Sequence, residues 1–206
     1  MPRQPASWKI RQQSANNLQR LADENRPPMP VPKIDAEAIK IHIRDVPDFP
    51  KPGIVFKDIT PLLANAAAFN AAIELLAAQI APHAPQGLLA IESRGFIFGA
   101  ALAQQMKLPL LLLRKPGKLP WHTERISYDL EYGSDALEIH QDAISAGSRY
   151  AIVDDVLATG GTAAAAVALI EKLGGHVAVC AFLMELSFLN GRARLPAKIV
   201  ESLIEY

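Results

Sequence analysis

Apolar residues along this chain fall into short unbroken runs and into stripes at helical spacing, with polar loops between them. Phe69, Ile73, Leu76 and Ile80 recur every three or four positions. They predict a helix through about residue 81 that turns this stripe to the core, with Asn65 as its cap. Gly87 to Ile91 is a short apolar strand that stops at Glu92-Ser93-Arg94-Gly95, and Phe96 to Met106 reads as the next helix. Pro109 to Leu113 is a continuous apolar strand, the pattern of a sheet covered on both faces. A further apolar run ends in two adjacent acids, Asp154 and Asp155. Ala163 to Leu173 then forms a helix closed by Gly174 and Gly175, Val177 to Met184 a buried strand, and Ile199 to Ile204 a last strand. Strands alternate with helices, and the polar loops follow strand C-termini. That order predicts an α/β fold, a doubly wound, mostly parallel sheet with ligands at the strand ends.

Three stretches resist the same reading. Ala36, Ile39 and Ile43 fit a helical face, while Ile39, Ile41 and Ile43 fit a strand equally well. From Asp45 to Thr60, three prolines argue against regular structure, and Ile54, Val55 and Phe56 form an apolar patch in a loop-like segment. Core burial of that patch and an exposed loop able to hold a flat ring are both compatible with it. Within Trp121 to His140, the centre Ser127 to Gly133 alternates poorly, carries two aromatics and two acids, and could be an ordinary hairpin. Ahead of all this, residues 1 to 35 hold Pro27, Pro28, Pro30 and Pro32, the composition of a flexible, extended arm. The globular domain is expected over residues 36 to 206.

The chemistry concentrates between Tyr150 and Thr162. Gly160 and Gly161 lack the Cβ that would hold backbone N–H groups away from an anion. The helix that follows offers unpaired N–H groups and the positive end of its dipole. The dipole alone is worth about 0.3–2 kcal/mol to an anion, so several donors must share the work. Ala158, Thr159 and Thr162 stand in the same loop, two of them with hydroxyls. Asp154 and Asp155 would repel a phosphate but accept hydrogen bonds from a neutral diol. Diol and phosphate side by side describe a ribose 5′-phosphate. The stretch lacks the lysine of a P-loop, and its glycines do not fit G-x-G-x-x-G. Ser93, Arg94 and Gly95 repeat the anion-binding logic after an earlier strand. Arg114, Lys115 and Lys118 follow another strand, either as a solvated loop or, beside Arg94, as a pocket for a highly charged leaving group.

Val-Asp-Asp-Val-Leu-Ala-Thr-Gly-Gly-Thr, residues 153 to 162, closely resembles the phosphoribosyl pyrophosphate signature of the type I phosphoribosyltransferases. Phe-Pro-Lys-Pro-Gly and Phe-Lys-Asp-Ile, between residues 49 and 59, resemble the base-recognition segment of the adenine phosphoribosyltransferases within that family. The resemblance spans about residues 36 to 206. It favours a helix near residues 36 to 43. It implies the family's sheet with a small hood and a mobile flap, and a cis peptide between Glu92 and Ser93. It also implies that Val55 and Phe56 contact adenine with Lys57 beside them, where many members carry Arg. Ser93 and Arg94 are assigned to pyrophosphate, with Arg114, Lys115 and Lys118 in support. Ser-Tyr-Asp-Leu-Glu-Tyr-Gly, residues 127 to 133, matches the family's flap, which makes Glu131 the candidate proton-transfer group, with Tyr132 next to it. Arg94 and Glu131 are thus the candidate catalytic pair. The implied reaction moves a phosphoribosyl group from phosphoribosyl pyrophosphate to adenine and releases AMP and pyrophosphate. Mg²⁺ is expected as cofactor, bound mainly through phosphoribosyl pyrophosphate, with Asp154 and Asp155 helping to place it. A homodimer is implied by the family alone.

Composition excludes several other classes. Lys plus Arg and Asp plus Glu are both 21, so no basic field argues for nucleic acid. The five histidines show no ligand spacing, and the single Cys180 lies inside an apolar run, so neither zinc nor a disulfide is expected. No apolar stretch approaches the ~18 residues of a membrane span. The first residues lack a secretory h-region, so the cytoplasm is the expected compartment. Two alternatives stay open: a relative that uses another purine or a pyrimidine, and a non-catalytic sensor of phosphoribosyl pyrophosphate.

Overall fold

The computed structural model describes residues 34–129, 134–195 and 199–206. The expected arm, save Ile34 and Asp35, lies outside these residues. Asp35 accepts a hydrogen bond from the Ala38 N–H at 2.9 Å and so caps α1 (Ala36–Lys40). Ile39 and Ile43 are buried and Ile41 is 82% exposed. An i, i+4 pair inside with the intervening residue outside is the helical alternative.

The segment from Asp45 to Thr60 departs from the expected loop. β1 (Arg44–Pro47) and β2 (Val55–Asp58) pair as an antiparallel ribbon, with Val46 opposite Phe56 and Asp45 opposite Lys57. The prolines do not prevent this, because Pro47 ends β1 while Pro50 and Pro52 fall in the turn. Asp48 closes that turn by accepting from the Gly53 N–H at 2.8 Å. Core burial of Ile54 and Val55 is ruled out: they are 45% and 48% exposed.

After α2 (Thr60–Leu63), α3 (Ala66–Ile80) begins where Asn65 accepts from the Ala68 N–H at 3.0 Å. Ile73, Leu76 and Ile80 are buried as the stripe predicts, and Phe69 packs half-buried at its end. There follow β3 (Gly87–Ile91), α4 (Gly95–Met106) and β4 (Leu110–Leu113). A hairpin of β5 (Thr123–Asp129) and β6 (Ser134–His140) comes next, then β7 (Arg149–Leu157), α5 (Gly161–Lys172), β8 (His176–Glu185) and β9 (Val200–Glu205). Gly174 and Gly175 close α5 with N–H bonds of 3.0 Å to the carbonyls of Glu171 and Ile170, as their place in the sequence predicts.

The main sheet is five-stranded and parallel, in the order β4-β3-β7-β8-β9. Successive residues of β3 feed different cores. Leu88 belongs to the core that holds Leu76 of α3 and Phe98 of α4, while Leu89 and Ile91 belong to the core that holds Ala166 and Leu169 of α5. This is why the inner strands read as unbroken apolar runs. Each fully buried side chain of this size contributes about 1.5–3 kcal/mol. β4 corrects one expectation: it is an edge strand, only Leu113 is buried, and Leu112 is 36% exposed. From β3 the chain steps outward to β4 on one side, and from β7 to β8 and β9 on the other. The strand order therefore reverses between β3 and β7, which opens a crevice beyond their C-termini. The β5–β6 hairpin hangs from the edge through paired N–H to C=O bonds of 2.9 and 2.8 Å between Arg114 and Glu138. Among the described residues no helix is long and apolar enough to cross a membrane.

Candidate active site at the switch point of the sheet

The loop from Ala158 to Gly160 joins β7 to α5 and borders a cavity of about 150 Å³ lined by Asp154, Thr159, Gly161 and Thr162, among others. That volume is below the roughly 300–1,000 Å³ of a drug-sized pocket and suits a phosphate. Gly160 is the N-cap of α5 and sits at φ +79°, so no side chain caps the helix. Its orphan N–H groups face a site that an anion can fill. Space forbids a larger residue as well: a Cβ on Gly160 would lie 2.3 Å from the Gly191 carbonyl oxygen.

Beside the loop stand the two acids. Asp155 is only 3% exposed and meets Arg94, whose Nη2 lies 2.6 Å from Oδ2; the contact is ionic rather than an aligned hydrogen bond. Asp154 is half-buried and accepts from the Asp155 N–H at 2.9 Å. Burial, and then repulsion from Asp155, holds the Asp154 carboxyl well above the ordinary carboxylate range. Burial also raises Asp155, against the pull of the Arg94 guanidinium. Gly95 fits against this pair because a Cβ there would come within 2.8 Å of Asp154 Oδ1. A half-buried acid of this kind is suited to neutral hydroxyl partners.

Across the crevice, Glu92 and Ser93 are joined by the cis peptide that the resemblance implies. Ser93 is exposed at the mouth. The cations that follow β4 are already engaged. Arg114 donates to Glu92 from Nε at 2.9 Å and from Nη2 at 3.4 Å, and the Lys115 N–H donates to Glu92 at 2.8 Å. The Arg114 hydrogen bond holds Glu92 below its ordinary value. Lys115 pairs with Asp135 on β6, and that bond raises its own value. Lys118 is exposed and contributes its carbonyl, 3.4 Å from Arg114 Nη1. The hairpin reaches the phosphate loop as well. The Thr162 hydroxyl donates to the Tyr128 hydroxyl at 3.3 Å, which donates to Asp135 at 3.4 Å. Burial raises the Tyr128 value.

On the base side, strand alternation separates neighbours. The half-buried Phe56 ring lies 4.8 Å from the Arg94 guanidinium and packs edge-on against Phe49 at 5.2 Å. Val55 is exposed. Lys57 takes another direction: its Nζ lies 2.7 Å from Asp45 and 3.6 Å from the centre of the Tyr206 ring. Glu131 and Tyr132 lie outside the described residues. The structure thus brings together Phe56, Arg94, Asp154, Asp155 and residues 158 to 162, and turns the Lys57 ammonium away. Sequence reading does not find Glu92, Asp135 or Gly191 as partners of the site, because each acts through a fold contact that no local pattern announces.

Comparison with known proteins follows this geometry. The phosphoribosyl transferase domain family matches residues 59–201. An adenine phosphoribosyltransferase of Roseiflexus sp. is 54% identical over 164 residues, covering 80% of this chain and 95% of the relative. The crystal structure of the adenine phosphoribosyltransferase from Thermoanaerobacter pseudethanolicus superposes with a TM-score of 0.81 at 51% identity, covering 83% of this chain and 99% of that one. That of Saccharomyces cerevisiae, complexed with an imino-altritol bisphosphate and adenine, gives a TM-score of 0.78 at 39% identity, covering 82% and 97%. With its phosphate cradle, acid pair and cis-linked loop grouped at one switch point, and with matches over nearly the whole length of these relatives, the chain belongs to the phosphoribosyltransferase family, among the adenine phosphoribosyltransferases.

Proposed function

We propose that this chain transfers the 5-phosphoribosyl group from phosphoribosyl pyrophosphate to adenine, giving AMP and pyrophosphate in purine salvage. One observation carries the reading: the anion cradle of residues 158 to 162 and the Asp154–Asp155 pair stand side by side at the crevice between β3 and β7. A phosphorylated pentose needs that pairing of features.

The roles follow from the groups at hand. Residues 158 to 162 hold the 5′-phosphate through N–H groups and the hydroxyls of Thr159 and Thr162. Asp154 and Asp155 accept from the ribose hydroxyls. Arg94, with Ser93 beside it, takes the pyrophosphate, whose departure leaves positive charge on the sugar carbon. Arg114 and Lys115, once their carboxylate partners give way, extend the cationic wall together with the exposed Lys118. Val55 and Phe56 hold the adenine ring near that carbon, so that attack becomes effectively unimolecular. Glu131, between β5 and β6, is the residue we assign to the base proton, with Tyr132 completing the cover. Among the described residues no three His, Cys, Asp or Glu side chains converge as a metal cage. Mg²⁺ commonly binds through one or two carboxylates plus substrate phosphates, and Asp154 and Asp155, beside the cradle, would be the carboxylates to meet it once ionised. When bound on phosphoribosyl pyrophosphate, Mg²⁺ neutralises part of the leaving group's charge. A homodimer working in the cytoplasm belongs to the same reading, and sedimentation and cell fractionation check those two points.

The test is direct. Protein mixed with phosphoribosyl pyrophosphate, Mg²⁺ and adenine should release pyrophosphate and form AMP, and hypoxanthine, guanine and xanthine should compete poorly. No pyrophosphate release would make the chain a sensor, and preference for another base would move it to a different specificity.

A further inference from the structure

We propose that Arg192 is a positioning residue for the 5′-phosphate clamp, acting through Gly191 rather than by touching the substrate. The proposal rests on the reading of residues 158 to 162 as that clamp.

The argument starts from two close approaches. A Cβ on Gly160 would lie 2.3 Å from the Gly191 carbonyl oxygen, and a Cβ on Gly191 would lie 2.2 Å from the Ala158 carbonyl oxygen. The clamp is therefore pressed against residue 191, backbone on backbone. Whatever fixes Gly191 fixes the back of the clamp.

Gly191 opens a short 3-10 turn, Gly191–Arg194, that has no side-chain cap of its own. Its neighbour Arg192 supplies the anchor. Arg192 Nε donates to both oxygens of Glu185, at 2.9 and 2.8 Å, and Nη2 approaches Glu185 Oε2 at 2.7 Å. Nη1 donates to the Val200 carbonyl at 2.8 Å, and Nη2 to the Ser202 hydroxyl at 3.2 Å, which itself donates to Glu185 at 2.7 Å. Glu185 is 4% exposed and ends β8. It lies opposite Leu157, the last residue of β7 before the clamp, and the next N–H, that of Leu186, donates to the Leu157 carbonyl at 2.9 Å. One buried carboxylate therefore stands level with the start of the clamp, and the guanidinium on it holds the turn that backs the clamp. The planar fork of arginine makes these bonds to β8 and β9 at once, which a lysine could not.

Two variants test this: Arg192→Met, which keeps the stem and removes the fork, and Glu185→Gln paired with Arg192→Met, which removes the buried charge that the first variant would strand. Folding is checked by circular dichroism and thermal melting, ribose 5-phosphate binding by calorimetry, and KM for both substrates with kcat by steady-state kinetics. The expected result is a rise of about tenfold or more in the Kd of ribose 5-phosphate and in KM for phosphoribosyl pyrophosphate. KM for adenine at saturating phosphoribosyl pyrophosphate should stay within twofold, and the double variant should recover thermal stability without recovering the sugar-phosphate affinity. Unchanged sugar-phosphate affinity in a folded variant would overturn the role of Arg192 and leave the clamp standing. Failure of the wild-type protein to bind ribose 5-phosphate would overturn the clamp and this proposal with it.

Discussion

Replacing Gly160 by Ala separates shape from mere backbone preference. The residue sits at φ +79°, where an L side chain costs about 1–2 kcal/mol. The new Cβ would also stand 2.3 Å from the Gly191 carbonyl oxygen. Ordinary carbon–oxygen contacts start near 3.3 Å, so two backbone segments must part by about 1 Å. Neither is the end of a flexible side chain that can swing aside. Gly147 is the control: its φ is +78°, but nothing lies within 4 Å of its Cβ position. Gly147→Ala should therefore show the conformational cost alone, a fall in Tm of about 2–8 °C for a chain of this size. Gly160→Ala should fall further.

Function should separate the two variants more sharply than stability does. A displacement of about 1 Å at a substrate-positioning element can cost about 100-fold in rate. KM for phosphoribosyl pyrophosphate should rise by at least tenfold in Gly160→Ala and stay at the wild-type value in Gly147→Ala. Thermal melting and an AMP-formation assay on both proteins supply the comparison. Equal KM values for the two variants would refute the claim that the close fit of Gly160 on Gly191 shapes the cradle.

Three further outcomes are expected. Glu131→Ala should retain calorimetric binding of phosphoribosyl pyrophosphate and lose about 10²–10⁴-fold in kcat; an unchanged kcat removes Glu131 from the mechanism. The folded state raises the proton affinity of Asp154, so its contribution to stability is present at low pH and is lost as pH rises from the ordinary carboxylate range through the raised value. Asp154→Asn should accordingly remove that fall of Tm with rising pH over the window, melt higher than wild type at neutral pH, and bind ribose 5-phosphate more weakly; a lower Tm at neutral pH would contradict the burial argument. Lys57→Ala should cost about 1 kcal/mol, from its contacts with Asp45 and the Tyr206 ring, and leave KM for adenine within twofold. A tenfold rise in that KM would mean that the ammonium reaches the base during turnover.

What was legible in the sequence was whatever a few neighbouring residues decide. Asn65 marks the start of α3 because capping needs only a side chain and an N–H three residues on. Gly87–Ile91 reads as a strand residue for residue because both its faces are apolar. The phosphate cradle is visible because glycines, hydroxyls and helix start are consecutive. What was hidden depends on residues far apart in the chain. Edge status of β4 follows from strand order, which no run of leucines encodes. The β1–β2 ribbon depends on pairing across a proline-rich turn. Once β2 is known to be a strand, the opposite directions of Phe56 and Lys57 follow from its alternation, whereas a loop has no alternation to read. The Glu92–Arg114 and Lys115–Asp135 pairs join residues 22 and 20 positions apart, so the sequence does not tell Arg114, Lys115 and Lys118 from a solvated turn.

Those ion pairs also explain how so polar a crevice holds its shape before a substrate arrives. Each one joins two different elements. Arg94 ties the start of α4 to β7 through Asp155, Glu92 ties the loop after β3 to the loop after β4 through Arg114 and the Lys115 N–H, and Lys115 ties that loop to the hairpin through Asp135. Tyr128 carries the chain of contacts from the hairpin to Thr162, at the phosphate cradle. An isolated buried charge at Asp155 would be costly, and the pairing with Arg94 offsets much of its desolvation. The pairs therefore do two things at once: they keep the polar groups near their working positions, and they satisfy those groups until a substrate offers better partners. Preorganised charge of this kind needs little rearrangement when negative charge develops on a leaving group. The corollary is that a pyrophosphate must outcompete a carboxylate for Arg94, Arg114 and Lys115. Its binding energy is then a difference between two ion pairs, not the full attraction of three bare cations, and the carboxylates it releases are left free to accept from hydroxyls.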